Sequence, residues 1–474
     1  MKKLCYILSV AVLFLLILSS CKKWMDVQPK ISIKSDVLLR TEQGYRDALI
    51  GCYTLMKSQR LYARELTFGF VDAAAQQYDT YNNSVYNDVA MWNYTTVASV
   101  RSKIDGIWSG IYNILANVNN ILDNIDSDKG IFTNGNYELI KGEALAIRAF
   151  LHLDLLRLFA SSNLSLKAIP YIKTLSTKVI GSSNGNEVIG LILQDAAAAE
   201  ELLKEDPIKS GKKYIYSQDE FMNNRHQRLN YYACKAIAAR ACLWAGKKVE
   251  ALAKAREVLQ DADRLFPWIQ SSDISATSER DKDYTFSTEN LFALNVHDLK
   301  NISNTWFMAA LPNNLLFRGS YFYEEMYEKY SIGANDYRLL FTSKLSGWDY
   351  VLYKYYQPDN YKAAYAGMIP LFRRSELNYI AAECLIGVDN EEAIDLLNEV
   401  RRHRGISADL DHSLSNAEVT AELLKEYRTE FQGEGQLFYY CKRNKLTNFP
   451  DGYQTVTDKE YVLPKPENET EFGQ

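Results

Sequence analysis

Three arrangements of side chains in this chain have the types and spacing to do chemistry. GSSNG, residues 181–185, fits G-x-S-x-G and would present Ser183 as a nucleophile. That role needs a buried apolar strand before the serine and a parallel sheet around it. TLSTKVI precedes it here and helical patterns surround it. Ser182, Ser183 and Asn184 therefore read as loop and N-cap residues of a helix beginning near Asn186. Cys21, closing LSSC, is a thiol placed to take a lipid. The third arrangement is aromatic. Tyr78, Tyr81, Trp92 and Tyr94 are interleaved with Asp72, Gln76, Asn82 and Asn93, and Trp306, Tyr321 and Tyr323 come later in the chain. The apolar face of a pyranose packs on such rings, and the carboxylate and amides can bind its hydroxyls.

Metal and cofactor chemistry finds no support. His152, His226, His297, His403 and His412 are scattered and form no H-E-x-x-H or C-x-x-C site. WAGKK lacks the upstream glycine of a P-loop, and DSDKG is too short for a calcium loop. The expectation is binding without catalysis, with no cofactor and no metal. A carboxylate pair for glycoside cleavage is defined by its separation, which only a fold supplies.

The amino terminus sets the compartment. Lys2 and Lys3 precede an uncharged apolar run from Leu4 to Leu18, which is signal-peptide length and short of the roughly 20 residues a spanning helix needs. Residues 1–20 are thus expected to be removed, with Cys21 acylated and residues 21–36 serving as a polar tether. An uncleaved anchor helix is the alternative. Removing residues 1–20 takes away two lysines and no acid, so the net charge moves from −5 to −7. An acidic chain without a basic block argues against nucleic acid as a partner. Cys52, Cys234, Cys242, Cys384 and Cys441 show no paired spacing and are expected to be buried thiols.

Helical periodicity dominates the chain beyond residue 36. Thr41 is a plausible N-cap for a helix with Tyr45, Leu49, Cys52 and Tyr53 on one face, and Ile104, Trp108, Ile111, Leu115 and Val118 repeat that spacing. NYELIKGEALAIRAFLHLDLLRLFA should be buried on most sides. AIAARACLWAGKKVEALAKAREVL and NYIAAECLIGVDNEEAIDLLNEVRR share one scheme: a small-residue helix, a glycine (Gly246, Gly387), then a second helix entered through Ala251 or Ala393. These units are similar to tetratricopeptide repeats, and about four of them would bury a continuous core. Residues 266–370 break the pattern: they hold 22 of the 59 aromatics and little helical period. Pairs such as Tyr321 and Tyr323 suggest strands with both rings on one face. The predicted fold is mainly α, a scaffold of tetratricopeptide-like helix pairs (37–265 and 371–474) carrying an aromatic-rich irregular or small-β part (266–370). Rings in that part either form a binding surface or fill a core lacking regular elements.

Several segments together resemble the SusD/RagB family of outer-membrane nutrient-binding lipoproteins. GEALAIRAFLHLDLLRLFA is similar to the family's G-E-A-x-x-x-R-A segment through Glu143, Arg148 and Ala149. IPLFRRSELNYIAAECL matches through Arg373, Glu376 and Glu383, and LLNEVRRHRG through Asn398, Arg401 and Gly405. EYRTEFQGEG carries Glu426, Arg428, Glu430, Glu434 and Gly435, and YVLPKP resembles the closing P-x-P. Leu437 and Tyr440 stand where the family usually has an arginine and an aspartate. Loss of both is consistent with apolar replacement of an ion pair. Glu376, Arg373, Glu383 and Arg401 read as structural charges that lock repeat to repeat. The resemblance implies a non-enzymatic surface lipoprotein of the outer membrane that captures a glycan, or in some members a peptide, and delivers it to a SusC-like TonB-dependent barrel. It also places ligand contacts just after the first helix. A surface-tethered hydrolase and a purely structural lid are the other function classes.

Overall fold

A computed structural model describes residues 38–81, 83–176, 178–211, 219–308, 316–452 and 454–472. The proposed signal peptide, the tether and Cys21 lie outside the described residues, as does Asn82. Helix α1, Glu42–Met56, begins at Thr41, whose side chain accepts the N–H of Gly44 at 3.1 Å. It buries Tyr45, Leu49, Cys52 and Tyr53, the face its period specifies. Two short helices come after it, α2 (Phe70–Ala74) and α3 (Ser84–Ala90). The long α4 (Ala98–Ile125) and α5 (Asn136–Phe159) are next, and α5 is buried nearly all round. Helix α6 (Gly185–Leu202) starts one residue after Asn184, which caps it by accepting the N–H of Glu187. Ser183 is a loop residue before that cap, and its backbone bonds to Ala168 and Ile169.

The two repeat units form as their spacing predicts. Helices α7 (Tyr231–Trp244) and α8 (Lys248–Leu265) join through Gly246 at φ +71°. Strands β1 (Asn290–Asn295) and β2 (Phe317–Gly319) lead to α9 (Ser320–Met326), and β3 (Ser343–Ser346), β4 (Asp349–Leu352) and β5 (Met368–Arg373) complete the strands. Helices α10 (Arg374–Leu385) and α11 (Asn390–His403) join through Gly387 at φ +81°. Ala251 and Ala393 are fully buried, so backbones approach closely at both crossings. Helices α12 (Asn416–Glu430) and α13 (Gln436–Arg443) finish the scaffold. Neighbours pack in the order α1, α4, α5, α6, α7, α8, α10, α11, α12, α13, and α13 returns to touch α2. The protein is mainly α-helical. Strands β1 and β5 pair antiparallel, and β2, β4 and β3 form a second antiparallel sheet in that order.

Charges join the layers. Arg148 of α5 grips Asp195 of α6 through two bonds of 2.6 and 2.8 Å. Arg240 of α7 does the same to Glu376 of α10, and Arg443 of α13 to Glu383. Beneath β5, Glu430 accepts from Arg404 (2.6 and 2.8 Å), Arg373 (2.5 Å) and Arg338 (3.3 Å), and all four side chains are at most 3% exposed. The five cysteines among the described residues are free and buried.

Burial alone would raise the Glu430 carboxyl, but Arg404 and Arg373 outweigh it and hold Glu430 well below its ordinary 4.5. A depressed carboxylate stabilises the fold above its unfolded value, and that contribution is lost as pH falls through the folded one. Urea midpoints should therefore drop as pH is lowered below about 4.5. Glu430→Gln should cost roughly 3–5 kcal/mol at pH 7, because it strands buried guanidinium charge, and should flatten that acid limb. An unchanged midpoint at pH 7 would refute the assignment.

Candidate ligand-binding cleft

Three stretches far apart in sequence converge beside β2. The first is the chain leaving α2. Asp79 donates its N–H to the Phe317 carbonyl at 2.7 Å, and its carboxylate accepts the Gly319 N–H at 2.7 Å. Residues near Asp79 are thereby stitched to the free edge of β2. The second stretch is β2 and α9, which supply Arg318 and Phe322. The third is the loop after α13, which supplies Asp451 and Gln454. Together they enclose a cleft of about 210 Å³ lined by Gln76, Tyr78, Tyr81, Arg318, Phe322 and Asp451, among others. Arg318 ties the walls together: it donates to the Gln76 carbonyl at 2.9 Å and to Asp451 at 2.8 Å.

Exposed rings stand on the elements that form or adjoin this cleft. Tyr81 is 70% exposed and meets Phe317 edge-on at 5.4 Å. Tyr321, also 70% exposed, lies edge-on to Phe322. Trp348 is 88% exposed at the tip of the β3–β4 hairpin. Ser346 pairs with Asp349, so the loop is only Gly347 and Trp348. Gly347 sits at φ +66° and Trp348 at negative φ, the pattern of a type II′ turn that reserves its first position for glycine. The Ser320 N–H bonds the Trp348 carbonyl at 3.0 Å, holding the tip against the start of α9. An aromatic ring left in water forfeits burial worth kilocalories, so a group of them beside a polar cleft marks a surface meant to be covered.

Gln76, Tyr78 and Tyr81 are thus brought together in one cleft, and Tyr321 packs against its lining residue Phe322. The other sequence candidates lie elsewhere. Asp72 is fully buried and accepts from the Gly433 and Gly435 N–H groups at 2.7 and 3.0 Å and from the Tyr78 hydroxyl at 3.4 Å. Burial pushes its carboxyl up to about 7 against those donors. It clamps α2 to the α12–α13 turn and is not among the residues lining the cleft. Trp92 and Tyr94 lie in a turn after α3 with separate partners. Trp92 is half-buried, stacks on Phe449 and donates to the Ala74 carbonyl at 3.0 Å. Tyr94 is buried on Phe70 and donates to the Glu460 carbonyl. Trp306 is half-buried between Tyr86 and the guanidinium of Arg64 and does not line the cleft. Tyr321 and Tyr323 are on a helix, where two residues apart is roughly 200°. Tyr323 accordingly faces inward, stacked on Tyr350 and bonded to Gln432 at 2.6 Å.

Sequence reasoning missed Trp348, Arg318, Phe322, Asp79 and Asp451. Trp348 had a local signal: LSGWDY sets a glycine and a tryptophan between two strand-like runs, the pattern of a two-residue hairpin. Arg318 and Asp451 had none, being 133 residues apart. Among the described residues no three His, Cys, Asp or Glu side chains gather as a metal site.

Comparison with known proteins gives a consistent answer. Residues 23–218 match a SusD-like family described as "Starch-binding associating with outer membrane", and residues 311–472 match the "SusD family". A SusD-like protein P25 from Formosa agariphila is 22% identical over 187 residues, covering 38% of this chain and 34% of that protein. The chain thus spans about a third of the length of that curated relative. Among solved structures, a SusD-like carbohydrate binding protein from Bacteroides vulgatus is 19% identical with a TM-score of 0.67, covering 91% of this chain and 96% of that one. A SusD superfamily protein from Bacteroides fragilis is 17% identical with a TM-score of 0.69, covering 92% and 98%. At such identity the likeness is one of fold.

Two tryptophans should separate packing from display. Trp92→Ala should lower unfolding free energy by about 2–3 kcal/mol, through lost burial and an orphaned backbone acceptor. Trp348→Ala should stay within about 0.5 kcal/mol of the parent. Chemical denaturation of both variants checks this, and equal losses would contradict the placement.

Proposed function

The chain belongs to the SusD/RagB family, and on that premise we propose that it is a cell-surface lipoprotein that captures a glycan and hands it to a SusC-like TonB-dependent barrel. The observation that carries the glycan reading is the exposed ring of Tyr81 in a cleft lined by polar groups, with Tyr321 and Trp348 exposed on the adjoining α9 and β3–β4 turn. A sugar ring has an apolar face and a hydroxyl rim. A tyrosine or tryptophan gives the face a rigid platform at low entropy cost, while Gln76, Asp79, Asn87 and Arg318 offer donors and acceptors to the rim. The protein's work on this reading is binding, without a bond broken.

The anchoring half of the proposal rests on Cys21. Acylation there, followed by the polar tether, holds the domain at the outer-membrane surface. The stacked helix pairs supply an extended rigid face for the barrel. A permanent contact of that kind buries on the order of 2,000 Å² or more.

Capture is tested by affinity electrophoresis and calorimetry against a panel of glycans and peptides. Tyr81→Ala and Trp348→Ala should each weaken the glycan that binds by ~2 kcal/mol if they are hot spots. Undiminished affinity in both would sink the site, and a peptide as the tight ligand would transfer it to the peptide-binding members' role. For the anchor, Cys21→Ser should move the protein from the membrane to the soluble fraction of its native host. Continued flotation with membranes would rule out lipidation at that residue.

A further inference from the structure

The cleft holds a charge arrangement that bears on which glycans it takes. Asp451 uses one carboxylate oxygen to accept from both Arg318, at 2.8 Å, and Arg428. Arg318 gives its other terminal nitrogen to the Gln76 carbonyl at 2.9 Å, and its Nε has no partner among the described residues. Only 5% exposed, Arg318 lines the cleft with its Nε buried and both terminal nitrogens engaged. Arg318, the guanidinium that lines the cleft, therefore has no free pair of parallel N–H groups to grip a carboxylate or sulfate. At the other end of the cleft, Asp79 is engaged by the Gly319 N–H. Asp349 lies close enough that both carboxylates, after burial, push the Tyr81 phenol up. Among the described residues that line the cleft the charged ones are Asp79, Asp451 and Arg318, so no positive charge is left over there.

We propose that the cleft selects uncharged glycans, and that Asp451 enforces the choice by occupying the two arginines. This rests on the glycan-capture reading and names its substrate class. A sugar hydroxyl both donates and accepts, so it can give its hydrogen to the Asp79 or Asp451 carboxylate and take one from the Asn87 amide. A uronate or a sulfate only accepts, and it carries its charge toward the Asp79 and Asp451 carboxylates, a juxtaposition that costs affinity.

The test is calorimetric titration of the full chain against two panels. One is neutral: amylopectin, xyloglucan and galactomannan oligosaccharides. The other is acidic: polygalacturonate, alginate and chondroitin sulfate oligosaccharides. A neutral glycan should bind, and the tightest acidic one should be at least ~10-fold weaker. Asp451→Asn should shift the ratio toward acidic chains by releasing both arginines. Because that change also removes a structural anchor, Asp349→Asn serves as a second variant. It lowers the negative charge without touching the arginines and should move the ratio in the same direction. Acidic chains bound as tightly as neutral ones by the parent, or a ratio unmoved by Asp349→Asn and by folded Asp451→Asn, overturns the selection and leaves glycan capture standing. Binding of neither panel overturns glycan capture itself, and the selection with it.

Discussion

A single buried carboxylate, Glu430, has to neutralise guanidinium groups arriving from three directions. Arg338 comes from the short helix before β3, Arg373 from the end of β5, and Arg404 from the end of α11. Around them lie Glu289, Asp336, Glu426 and Glu434, with Arg401 and Lys354 as further cations. Five cations thus face five carboxylates, all at most 5% exposed. Charges removed from water are tolerated only when each finds its partner, so the network permits one arrangement of the segments that bring them. Its worth lies as much in that specificity as in net stability.

The cleft inherits its position from this network. Lys354 donates to the Glu430 and Gln432 carbonyls and to Glu434, fixing the turn between α12 and α13. Within that turn Gly433 adopts φ +85°, and a Cβ there would come within 2.6 Å of Leu352. The N–H groups of Gly433 and Gly435 then hold Asp72, which fixes α2, from which Gln76, Tyr78 and Tyr81 project. An ion cluster outside the cleft's lining therefore sets the wall of the site. Arg428, two residues from both Glu426 and Glu430 on α12, reaches the opposite wall through Asp451.

Leu437 and Tyr440 show how the scaffold tolerates a change in its wiring. Both are buried, and Tyr440 packs on Tyr427 at 4.4 Å with the Arg443 guanidinium near its ring. Arg443 remains neutralised by Glu383. The position where an ion pair is usual is filled by apolar and aromatic surface, and no charge is stranded by the replacement.

The scaffold was legible in the residues alone: the helix faces of α1 and α4, the Thr41 and Asn184 caps, the turns at Gly246 and Gly387, and the family resemblance. These are local properties, carried by periodicity and by residues that cap or break a helix within a few positions. The first wall of the cleft was legible too, because Gln76, Tyr78 and Tyr81 come after α1 in an aromatic, amide-rich stretch. Which rings face water was settled in three dimensions. Trp92 and Trp348 are the same residue type, yet one is covered by Phe449, 357 positions away, and the other is pushed out by a two-residue turn. Tyr321 and Tyr323 part because a helix, and not a strand, formed beneath them. Burial depends on which distant segment packs against a side chain, and composition near that side chain carries no record of it.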